Sequence, residues 1–109
     1  MMRDRVVVTL VLSGMVGAAW AVDTAPGKAL FERHCAVCHA AGPGHPGTMR
    51  LTEARGAANA VLEERTDLDP AYVRLVVRQG LVEMPPWRRT EIDDAALHQI
   101  AAYLTRPRP

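Results

Sequence analysis

A chain of 109 residues has room for one domain, so a multidomain enzyme is excluded at the outset. Thirteen Lys plus Arg stand against twelve Asp plus Glu, a balance that offers no basic field to attract nucleic acid or an anionic membrane surface. One Phe, two Tyr and two Trp are thin material for a self-sufficient core, so another group is needed to fill it.

The chain opens with two arginines, Arg3 and Arg5, followed by an uncharged apolar stretch from Val6 to Ala19. Those 14 residues match the h-region of an export signal, about 7–15 residues, better than the roughly 20 of a spanning helix. Ala19-Trp20-Ala21 supplies the small residues of a cleavage site, so residues 1–21 are expected to be removed, leaving no stable membrane anchor and a periplasmic chain that starts at Val22. The rival is an uncleaved anchor, because apolar residues continue to Val22. Residues 22–109 are then the one folded domain, with eleven basic against eleven acidic side chains.

From Ala25 to Cys35 the sequence predicts a helix: Pro26 suits a first position, and Ala29, Leu30, Phe31 and His34 fall on neighbouring turns. Residues 40–49, with three glycines and two prolines, predict a loop, and Leu51–Glu64 a weaker helix broken at Gly56. A sharper helix is expected over Ala71–Gln79, with Asp69 as N-cap, Pro70 first and Gly80 beyond its end. A last one is capped by Asp93, carries Leu97, Ile100, Tyr103 and Leu104, and stops before Pro107. With no alternating pattern anywhere, the fold is expected to be all-α with long connecting loops.

Cys35-Ala36-Val37-Cys38-His39 is an attachment signature for c-type haem. One helical turn sets both sulfurs along one edge of a porphyrin, where each adds to a vinyl group, while the next side chain projects under the iron. Zinc would want two more ligands, and His34, His45 and His98 lack the spacing. A thioredoxin-type pair expects a βαβ surrounding that this sequence lacks. One covalent haem would also supply the missing core, as a small scaffold requires.

The sixth ligand is expected from a thioether, which favours ferrous iron. Met84, 45 residues beyond His39, follows a helix and precedes the stiff pair Pro85-Pro86, whereas Met49, ten residues on, is too near to cross the ring. His45 and His98 are weaker rivals. The second nitrogen of His39 wants a backbone carbonyl, and Pro46 is preferred over Pro43, because Gly44-His45-Pro46-Gly47 has the reach to fold beneath the imidazole.

Gly27 and Phe31, the Cys35–His39 motif, a Pro in the following loop, Met84-Pro85 and Ala102-Tyr103-Leu104 together resemble class I cytochrome c over nearly the whole of residues 22–109. The resemblance implies first and last helices crossing at right angles, with Gly27 and Phe31 against Ile100 and Tyr103, and Met84 as distal ligand. Pro46-Gly47-Thr48-Met49, Leu62–Leu68 and Val76–Leu81 are most similar to the cytochrome subunits of p-cresol methylhydroxylase and related 4-alkylphenol dehydrogenases. Pro86-Trp87-Arg88-Arg89 departs from that pattern, where smaller residues would follow Met-Pro.

The resemblance implies an electron-transfer subunit, not an enzyme in its own right, that accepts electrons from the flavin of a partner dehydrogenase and hands them to a downstream periplasmic acceptor. The alternatives are a freely diffusing shuttle serving a terminal oxidase or reductase and, from another class, a haem sensor or small enzyme with an open coordination site. Six of the seven residues from Leu81 to Trp87 are apolar and two successive prolines limit how far they turn inward, so Pro86 and Trp87 are expected on the partner interface, with Trp87 as anchor.

Overall fold

The protein is described by a computed structural model covering residues 13–15, 17 and 22–108. The export signal expected over residues 1–21 lies, apart from residues 13–15 and 17, outside that description. Among the described residues five helices follow in order: α1 (Ala25–His34), α2 (Ala36–His39), α3 (Pro46–Arg55), α4 (Pro70–Gln79) and α5 (Asp94–Leu104), with 3-10 turns at Ala57–Asn59 and Leu62–Glu64. No strand occurs among the described residues beyond a two-residue bridge between Leu81 and Met84. None of their helices is long and apolar enough to cross a membrane.

The core forms where α1 packs on α5. Gly27 makes the approach possible: a Cβ there would stand 2.1 Å from the Gln99 carbonyl oxygen and 2.7 Å from Tyr103 Cβ. One turn on, Phe31 is fully buried with its ring 5.9 Å from that of Tyr103, and Ile100 is buried beside them. The contact that the resemblance implied is therefore present. Helix α4 adds Val73 and Val77, spaced four apart on one face, while its Tyr72 and Leu75 stay exposed. The caps anticipated for the two later helices form: the Asp69 carboxylate accepts from the backbone N–H groups of Ala71 and Tyr72, and Asp93 accepts from that of Ala96.

One connection differs from expectation. The residues expected as a loop to Met49 become helical at Pro46, whose ring suits a first helical position and whose missing N–H costs nothing there. The helix lacks an apolar period because it buries only Thr48, and that against the turn after His39 rather than the core. Gly56, at φ 83°, ends it.

Candidate functional site

The Cys35–His39 motif spans the junction between α1 and α2. Cys35 closes α1, its N–H donating to the Phe31 carbonyl at 2.8 Å, and the N–H groups of Cys38 and His39 both donate back to the Cys35 carbonyl, at 3.1 and 2.9 Å. The short turn thus sets three chemical groups in a fixed order from the end of a helix anchored in the core. Both cysteines are free. Burial, with Cys38 nearby, pushes the Cys35 thiol up to about 11, so it is protonated at neutral pH, unlike the low-pKa thiolate of a redox-active pair. Among the described residues no group of three or more His, Cys, Asp or Glu is placed to hold a metal ion, so the zinc alternative finds no ligand set there.

His39 is half-buried, and desolvation lowers its pKa, which keeps the imidazole neutral and able to ligate. Its Nδ1 is buried without a hydrogen-bond partner. The bond expected to the Pro46 carbonyl is not formed; Pro46 begins α3, and the neighbouring Gly47 lies against the ring instead.

Met84 is held on the other arm of the site. A tight turn pairs Leu81 N–H with the Met84 carbonyl at 3.1 Å and Met84 N–H with the Leu81 carbonyl at 2.9 Å. Gly80, at φ 75°, is required twice over, since a Cβ would stand 2.7 Å from the Met84 oxygen and 3.0 Å from Pro86 nitrogen. The loop is tied back to α4: Trp87 N–H donates to the Val77 carbonyl at 2.7 Å, and Arg78 donates to the Trp87 carbonyl at 3.1 Å while pairing with Asp94 at 2.8 Å. Met84 itself is half-buried against the hydrophobic core. Met49, the rival sulfur, is 54% exposed on α3.

Two of the residues expected on the surface part company. Pro86 is exposed, with Leu81, Val82 and Pro85. Trp87 is turned inward, packing against the core and edge-on to His34 at 6.0 Å, because its backbone is bonded to Val77 on one side and Arg78 on the other. The most exposed side chain of the turn is Val82, at 90%. Its φ of 53° is an outlier for a β-branched residue. The sequence places Val82 in the exposed apolar run without singling it out, and brings the loop Gly44–Gly47 beneath the imidazole without the contacts that His45, Gly47 and Thr48 make there. Pro46 as a helix-starting residue was the available signal for the latter; nothing in the sequence announces a positive φ at a valine.

A haem c fits these residues: two free thiols on one turn, a neutral imidazole on the residue that follows, and a sulfur held by a separate loop.

The comparisons with known proteins agree in kind. Residues 22–104 match the protein family described as cytochrome c oxidase, cbb3-type, subunit III. The chain is 33% identical over 79 residues to the 4-cresol dehydrogenase [hydroxylating] cytochrome c subunit of Pseudomonas putida, covering 72% of this chain and 58% of that one. It is 34% identical over 103 residues to the dihydro-haem d1 dehydrogenase of Pseudomonas aeruginosa, covering 92% of this chain but only 19% of that protein. The chain thus spans less than two thirds of either relative. Among solved structures, a chain of p-cresol methylhydroxylase with substrate bound matches with a TM-score of 0.54 at 31% identity, over 76% of this chain and 93% of that one.

Proposed function

From a chain that belongs to the cytochrome c family described as cytochrome c oxidase, cbb3-type, subunit III, we propose a periplasmic monohaem electron-transfer subunit that takes electrons singly from the flavin of a partner 4-alkylphenol dehydrogenase and passes them to a downstream acceptor. Relatives named as a dehydrogenase and as a dehydrogenase's cytochrome subunit support this reading. Residues 1–21 serve as the export signal and 22–109 as the haem domain. Cys35 and Cys38 would hold the haem covalently, and His39 and Met84 would ligate its iron. When bound, the haem would supply one-electron redox chemistry, and ligation by both His39 and Met84 would leave no position for oxygen or peroxide. The protein's own contribution is to hold the two ligand side chains on two separately anchored segments, with Cys35 and Met84 packed against a core that includes Phe31, Leu97 and Ile100.

The observation that favours a resident subunit over a diffusing shuttle is the turn that carries Met84. It displays Leu81, Val82, Pro85 and Pro86 to solvent, an apolar face beside the distal ligand, on a domain without net side-chain charge for long-range steering. The partner interface is therefore centred on Val82 and Pro86, with Trp87 supporting the loop from beneath.

Purification from an exporting host tests the reading. The expected product is a chain beginning at Val22 with one haem, accompanied by a flavin-containing subunit, whose haem is reduced when a 4-alkylphenol is added. A haem protein that purifies alone and stays oxidised with the phenol would overturn the subunit reading in favour of the shuttle.

A further inference from the structure

The proximal side of the site is gripped by a run of residues that no motif assigned. The turn from Val37 to Ala40 presents, in order, the Val37 carbonyl, the Cys38 carbonyl, the His39 imidazole and the Ala40 carbonyl. His45 Nδ1–H donates to the first at 3.0 Å. Gly47 covers the next two: a Cβ on it would stand 2.7 Å from the Cys38 oxygen, 2.7 Å from His39 Cε1 and 2.9 Å from His39 Nδ1. Thr48 Oγ1, buried with its residue at 7% exposure, donates to the fourth at 2.8 Å.

Any side chain at position 47 meets backbone on one side and the imidazole on the other. The Cys38 carbonyl is fixed within a helical turn, so the group with freedom to yield is the His39 ring. Thr48 removes the remaining play, since its bond to Ala40 sets the distance between the start of α3 and the end of α2. Pro46 fixes the backbone direction at which α3 arrives.

We infer that Gly47 and Thr48 are positioning residues for His39: Gly47 sets the orientation of the imidazole by its close approach at Cε1 and Nδ1, and Thr48 holds Gly47 at that distance. The inference rests on His39 as the axial ligand. It replaces an orienting hydrogen bond with an orienting surface. The ring plane governs how the imidazole overlaps the iron orbitals, so its rotation alters the electronic structure of the haem without breaking the iron bond.

The test uses the haem-loaded protein with the substitutions Gly47→Ala, Thr48→Val and Thr48→Ser. Haem content is measured first, then the paramagnetically shifted haem-methyl resonances of the ferric form, the reduction potential and the thermal midpoint. Gly47→Ala is expected to keep one covalent haem and to change the order or spread of the haem-methyl resonances along with the potential. Thr48→Val should move both in the same direction by a smaller amount, and Thr48→Ser, which keeps the hydroxyl, should restore them. A lowered thermal midpoint with unshifted methyl resonances in Gly47→Ala would overturn the inference. If Gly47→Ala fails to fold, a Thr48→Val protein indistinguishable from wild type in both readouts overturns it instead. Wild-type protein that takes up no haem would refute the ligand reading itself, a result separable from either.

Discussion

The two arms of the site are held in different ways. On the proximal side His39 sits in a half-buried turn braced by residues only six to nine positions further on, through two hydrogen bonds and a glycine contact. On the distal side Met84 hangs on a tight turn fixed at its base, by Gly80, Val77 and Arg78, while its tip stands in solvent with a valine at φ 53°. The proximal arm spends its backbone on rigidity. The distal arm combines a firm base with exposed apolar side chains, the arrangement a site needs if one ligand must both stay on the iron and lie close to a partner.

Disturbing the common foundation should affect both arms. Gly27→Val would drive a side chain into the Gln99 carbonyl and Tyr103, with a cost of about 3 kcal/mol from overpacking. A fall of roughly 10–20 °C in the thermal midpoint of the haem protein is expected by calorimetry.

Gly80→Ala separates the arms. Its Cβ meets the Met84 carbonyl and a positive φ opposes it, together worth about 2 kcal/mol. Haem attachment through Cys35 and Cys38 should survive, and the spectroscopic signature of the thioether ligand should weaken while that of His39 is retained.

Val82→Gly has the smallest effect on stability and the opposite sign. Relief of the strained φ outweighs the added freedom of glycine in the unfolded chain, so a gain of about 0.5 kcal/mol is expected in chemical denaturation. Binding to the flavin-containing subunit should weaken in the same variant, as an exposed apolar contact is lost. Unchanged stability would show that the valine is not strained, and unchanged affinity that it is not a contact.

The sequence discloses these regions unequally. The haem motif and the caps of α4 and α5 were legible because each depends on residues within one or two helical turns, and local chemistry decides them; the packing of Gly27 and Phe31 on α5 is long-range and came only with the resemblance to class I cytochrome c. Helix α3 was hidden because it faces the haem-motif turn, so its hydrophobic pattern is absent even though Pro46 marks its start. The half-burial of Trp87 was hidden for a related reason: it follows from a backbone bond to Val77, ten residues away, and from Arg78, whose other partner is Asp94. The apolar run and the stiff Pro85-Pro86 pair make that tryptophan an expected exposed anchor. The exposed face of the loop belongs instead to Leu81, Val82, Pro85 and Pro86.

The division into a fixed proximal arm and a detachable distal one is tested most directly by adding carbon monoxide to the reduced protein, as wild type and as Met84→Ala. The account predicts no binding to wild type, because His39 and Met84 would together leave the iron no open position. It predicts one carbon monoxide per haem in Met84→Ala, with the haem still covalently attached and the potential lowered. Carbon monoxide binding to the wild-type protein, or a Met84→Ala variant with an unchanged spectrum and potential, would contradict it.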